Sequence, residues 1–141
     1  MNTRRMAEDY IRTAGDCLDQ ARISFERKNY PLCVRRCQEC VEMSLKSILR
    51  STAVEYPREH DVSKALEMVK EKLPDWFSLK IPEFIDISKE LSKKRGPALY
   101  GYEAEFKPAS DIFDESDAED ALISTKSVFG ACESLINEIW K

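Results

Sequence analysis

The chain has 141 residues, 43% of them apolar and 34% charged, with 4 Gly and 6 Pro, which suits one domain over residues 1–141 and excludes collagen-like and low-complexity classes. No uninterrupted run of apolar side chains exceeds three residues, and Met1-Asn2-Thr3-Arg4-Arg5 leads into charge rather than a signal core; the expectation is a cytoplasmic protein with no membrane span. The net charge of −4 hides a gradient of +3 over residues 1–50, 0 over 51–100 and −7 over 101–141, which argues against a uniformly basic nucleic-acid surface and leaves room for a local basic site.

From about residue 4 to 28, Ile11, Ala14, Leu18, Ala21 and Phe25 recur at spacings of 3 and 4, one face of a long helix. Asn29-Tyr30-Pro31 then punctuates, with Asn29 or Tyr30 in the capping region and Pro31 in the first turn of a second helix. That helix carries Val34, Cys37, Val41, Leu45 and Ile48 to about Arg50-Ser51, and Glu42 and Lys46 are spaced to pair on it. The five cysteines, at 17, 33, 37, 40 and 132, are an odd number in a chain that needs no staples, so free thiols in a reducing compartment fit. Cys33, Cys37 and Cys40 share the apolar stripe and are expected to be small buried residues. His60 is the only histidine, so no Cys/His pair completes a tetrahedral site and neither metal nor cofactor is expected.

Tyr56-Pro57 breaks the pattern, and Asp61 is placed to cap a shorter helix with Val62, Ala65, Leu66 and Val69, ending before Pro74. A fourth helical stretch starts near Pro82, with Phe84, Ile85, Ile87, Ser88 and Leu91 inward. Residues 94–116 hold two Pro and two Gly and read as an extended loop, a length more often functional than connective. Ser116-x-x-Glu119 reads as a capping box for the last helix, which carries Ala118, Ala121, Thr125, Val128, Cys132, Leu135 and Ile139. Nothing reads as a strand pair. The expected fold is all-α, an antiparallel up-and-down bundle of three long and two shorter helices.

Chemistry has few footholds. Nucleophilic triads need a base, usually His, and His60 lies in Arg58-Glu59-His60-Asp61-Val62 at a helix mouth. There an imidazole either fixes the turn or serves a catalytic or nucleotide-contacting role. Gly15, Gly96, Gly101 and Gly130 form no phosphate-cradling loop. What remains is Lys93-Lys94-Arg95-Gly96-Pro97-Ala98-Leu99-Tyr100-Gly101-Tyr102, cations for phosphate and flat faces for bases. The alternative is a helix end whose Lys and Arg answer the dipole, followed by a loop pinned by Tyr rings.

The order of these features resembles a known family. Asn29-Tyr30-Pro31, the Cys37–Leu49 segment with Glu42-x3-Lys46, His60-Asp61-Val62 and then Arg95 to Tyr102 are together similar to the HEPN domain of prokaryotes, over nearly the whole chain. The resemblance implies a helical homodimer, often working with a minimal nucleotidyltransferase. It also implies metal-independent ribonuclease activity of toxin type in members with an Arg, four to six residues, then a His. Arg95 matches that arginine, Tyr100 stands where the His would follow after four residues, and no later His exists. A phenol with a pKa of ~10 is a poor general base at neutral pH. Arg95 to Tyr100 is also similar to the Arg-x-x-Ala-Asp-Tyr form of non-toxin members, with Leu99 in place of the acidic residue.

The resemblance thus points to a regulatory protein that binds a nucleotide or RNA through Lys93, Lys94, Arg95, Tyr100, Tyr102 and His60. The alternatives are a ribonuclease using Arg95 with Tyr100, or a helical module that only holds another protein.

Overall fold

In the computed structural model, which describes residues 3–53, 55 and 62–141, the first helix, α1 (Thr3–Glu26), turns through Lys28 at φ 62°. The second, α2 (Tyr30–Ser51), opens with the Asn29 side chain accepting from the Leu32 amide at 3.3 Å and with Pro31 in its first turn, where a missing amide hydrogen costs nothing. After it come α3 (Ser63–Val69), a 3-10 turn at Lys70–Lys72, the one-turn α4 (Asp75–Ser78), α5 (Ile81–Tyr100) and α6 (Glu115–Ile139). His60, the Asp61 cap and the Tyr56-Pro57 break lie outside the described residues. Among the described residues the only strand-like pairing is a single bridge between Tyr102 and Lys107.

The up-and-down order follows from which helix ends meet. The start of α2 touches the end of α5, since Arg35 Nη1 donates to the Arg95 carbonyl at 3.1 Å. It also touches the start of α6, where the Cys33 thiol reaches the Ala118 carbonyl at 4.0 Å. The start of α1 meets the end of α6, with the Arg4 guanidinium 5.8 Å from the Trp140 ring centroid. So α1 and α5 run one way, α2 and α6 the other. α2 lies centrally, packed on α1, α6 and α5, while α5 and α6 scarcely touch.

Burial follows the apolar periodicity. Ala7, Ala14, Leu18 and Ala21 of α1 and Cys33, Val34, Cys37, Cys40, Val41, Leu45 and Ile48 of α2 are all buried. The alanines, spaced by seven, let the α1 and α2 backbones approach closely. The short helices close one end of the core: Phe77 stacks edge-on against Phe84 at 5.7 Å, and the Trp76 indole N–H donates to Glu138 on α6 at 3.2 Å.

Two expectations need correction. The helix from Ile81 does not stop before residue 94 but runs on to Tyr100, so four helices are long and residues 94–100 are not loop. Proline keeps a helical φ and forfeits one amide bond; Pro97 accordingly sits inside α5 while Ala98 is buried, and Gly96 faces open space. The cap of α6 is also two residues earlier than expected. Asp114 accepts from the Asp117 amide at 3.0 Å and Asp117 accepts from the Asp114 amide at 2.9 Å, a capping box built from two aspartates rather than Ser116 and Glu119.

Candidate functional site

α2 has a second stripe, polar and turned toward α5. Arg35, Gln38, Glu39, Glu42 and Lys46 recur at three and four residues, so they share one face. Against them α5 lays Arg95, whose Nη1 donates to Gln38 Oε1 at 2.6 Å and stands 3.7 Å from Glu42 Oε1. The Gln38 amide nitrogen donates to Glu42 Oε1 at 2.9 Å, and Lys46 holds the other oxygen, Glu42 Oε2, at 2.9 Å. One turn earlier, Glu39 takes Arg36 at 2.7 Å and Arg35 at 3.8 Å.

The burial of this network is graded. Gln38 is only 2% exposed, the Glu42 and Lys46 side chains 12% and 14%, and the Arg95 side chain 27%. Arg95 thus stands at the mouth of a groove of about 220 Å³ lined also by Thr13, Cys17, Glu39, Glu42 and Met43. Its Nε and Nη2 make no hydrogen bond among the described residues. Among the described residues, four cations (Arg35, Arg36, Lys46 and Arg95) share two carboxylates (Glu39 and Glu42) in this network, a local positive surplus within the network in a chain whose net charge is −4. Such a surplus with open guanidinium nitrogens suits an anion of phosphate type.

The residues singled out between 93 and 102 do not converge, because they lie on a continuous helix that turns about 100° per residue. Arg95 faces α2. Lys94 turns about 100° away from it, 3.8 Å from Glu90, in a groove between α5 and α6 lined by Asp86, Ile87, Leu91 and Asp120. Lys93 is exposed. Tyr100, five positions beyond Arg95, is about 140° around the axis and 65% exposed. The structure instead adds Arg35, Arg36, Gln38 and Glu39; the signal that could have found them was the polar stripe at helical spacing in an otherwise apolar α2.

Tyr102 belongs to a tight hairpin. Its amide donates to the Lys107 carbonyl at 2.8 Å and its carbonyl accepts from the Lys107 amide at 3.1 Å. Gly101, at φ 69°, makes this closure possible, since a Cβ there would collide with the Lys107 carbonyl oxygen. The hairpin presents Phe106 at φ 54° and 95% exposed, and Leu99, Tyr100 and Tyr102 are exposed beside it in sequence.

Four of the five thiols are buried, and Cys17, at the groove, is half-buried. Burial pushes the Cys17 thiol up, helped by Glu39, and pushes Cys40 up to about 12 and Cys132 well above the usual range. Cys37 is raised by its hydrogen bond to Cys33 and then by burial. All five cysteines are free, and among the described residues no group of three His, Cys, Asp or Glu is arranged to hold a metal ion. No helix of the described residues is long and apolar enough to cross a membrane.

Comparison with known proteins agrees with this architecture. Two solved structures superpose on most of the chain, each at 22% identity: an archaeal HEPN homologue (TM-score 0.70, 92% of this chain and 97% of that one) and a protein from Thermus thermophilus (TM-score 0.72, 95% and 98%). No curated protein sequence matches it. The family model of the HEPN domain matches residues 7–135, and with that span the chain belongs to the HEPN family.

Proposed function

We propose that this HEPN domain is a nucleotide- or RNA-binding regulatory homodimer that works in the cytoplasm with a minimal nucleotidyltransferase, rather than a ribonuclease of toxin type. The observation that carries the reading is Arg95, held in the groove between α1, α2 and α5, with Nε and Nη2 making no hydrogen bond among the described residues and with Arg35, Arg36 and Lys46 in the network beside it. A phosphate group is the ligand that such a fork recognises. Tyr100, the residue at the position of the ribonuclease histidine, is turned about 140° away from Arg95 on the helix, which favours binding over cleavage. The apolar residues Leu99, Tyr100, Tyr102 and Phe106, exposed within one short segment at and beside the hairpin, support the dimer, because exposed apolar surface is what a protein contact buries.

A thermal-shift titration with ATP, other nucleotides and a short RNA tests the reading. A ligand at 100 times its Kd adds ~2.7 kcal/mol, and the shift should vanish in Arg95→Ala. No shift with any nucleotide or RNA overturns it, as does RNA cleavage that persists in EDTA and disappears in Arg95→Ala. In sedimentation, Phe106→Ser is expected to move the protein toward monomer.

A further inference from the structure

Arg95 lies 3.7 Å from Glu42, near enough to be neutralised by it, yet the closest partner of its guanidinium is a neutral amide. Gln38 sits between the two with both ends of its amide engaged: Oε1 accepts from Arg95 at 2.6 Å and Nε2 donates to Glu42 Oε1 at 2.9 Å. Lys46 engages the far oxygen of the same carboxylate at 2.9 Å. A carboxylate in contact with an arginine normally forms the bidentate pair that fork geometry favours. Here one Glu42 oxygen is hydrogen-bonded by Gln38 and the other is paired with Lys46. The Arg95 charge therefore stays directed at the groove.

We infer that Gln38 and Lys46 are positioning residues that hold Glu42 off Arg95 and so set how much of the Arg95 charge is available to an anion. The inference rests on the reading of Arg95 as the anion contact, and it adds that the affinity of the groove is governed from α2, by residues that touch no ligand. The relay runs Lys46, Glu42, Gln38, Arg95, with each link a hydrogen bond or ion pair and its inner members almost wholly withdrawn from water, where charge pairing is least screened.

The test uses the whole protein and two readouts, the rate at which phenylglyoxal modifies Arg95, followed by peptide mass mapping without ligand, and ATP affinity. Gln38→Met keeps the side-chain volume and removes the bridge. Glu42 then pairs with Arg95, and both modification and ATP binding should weaken by about threefold to fivefold, the scale of one partly exposed charge pair. Adding Glu42→Gln to that variant should restore both, a rescue that a merely structural role for Gln38 would not give. Lys46→Met should act in the same direction as Gln38→Met and Lys46→Arg should not; this pair carries the test if Gln38→Met fails to fold. An Arg95 modification rate indifferent to Gln38→Met and Lys46→Met overturns the inference, as does a double variant that stays slow. A parent that ignores ATP while showing the slowing and its rescue supports the relay and overturns the nucleotide reading instead.

Discussion

α2 carries two stripes that differ in almost every physical respect. One, running through Cys33, Cys37, Cys40, Ser44 and Ile48, is dry and made of small or apolar residues wholly excluded from solvent. The other, running through Arg35, Gln38, Glu39, Glu42 and Lys46, keeps its charges in a chain of partners that ends at the groove mouth. Small side chains allow close backbone approach and dense contact, which is what holds α2 against α6 and α1. Charged side chains survive partial burial only in mutual pairs, and their energy goes into orientation more than stability. The helix thus separates holding the fold from presenting a charge, and adjacent residues, Leu45 and Lys46, fall on opposite sides of that division.

The comparison can be broken by substitutions that should affect one stripe alone. The largest effect is expected for Leu45→Ala, a fully buried leucine, which should cost about 2–5 kcal/mol in denaturant unfolding while leaving ATP or RNA binding of the folded fraction unchanged. A binding loss as large as that of Arg95→Ala would show that the two stripes are not separable.

Alkali tests the dry stripe. With a folded pKa of about 12 against an ordinary 9.0, Cys40 contributes stability that is fully present below pH 9 and is lost as pH rises toward 12. Cys37 and Cys132 are raised in the same sense, whereas Cys33, accepting from Cys37, is lowered and opposes them. The melting temperature should therefore fall above pH 9 in reducing buffer, and Cys40→Ala should flatten that fall even though it also removes packing. An unchanged slope in Cys40→Ala would mean that its thiol stays in contact with water.

The smallest effect sharpens the picture at a site outside both stripes. Asp114→Ala removes the cap of α6 and should cost about 1 kcal/mol, whereas Ser116→Ala should be nearly neutral. Equal effects from the two would place the helix start elsewhere.

The capping box shows how legibility fails by small steps. The acidic run from Asp114 to Asp120 announces a helix start, but several of its residues can cap, and the choice depends on where the chain arrives from the preceding 3-10 turn at Ala109–Asp111. The segment after Arg95 fails for a different reason. Gly96-Pro97 carries the local signature of a breaker, and tertiary contacts override it: Ala98 is buried, and Arg35 bonds the Arg95 carbonyl.

Periodicity alone determined that this chain is helical, which faces of α1, α2 and α6 are apolar, that the α2 cysteines belong to the core, and that Glu42 pairs with Lys46. Those are properties of one helix at a time, fixed by spacing against a period of about 3.6 residues. The neighbour of each polar face is a property of two helices and depends on where α5 ends. Had it ended before residue 94, Arg95 would lie on a loop beside Tyr100. Because it continues, the 100° step sends Lys94 toward α6 and Arg95 onto α2, where Gln38 receives it.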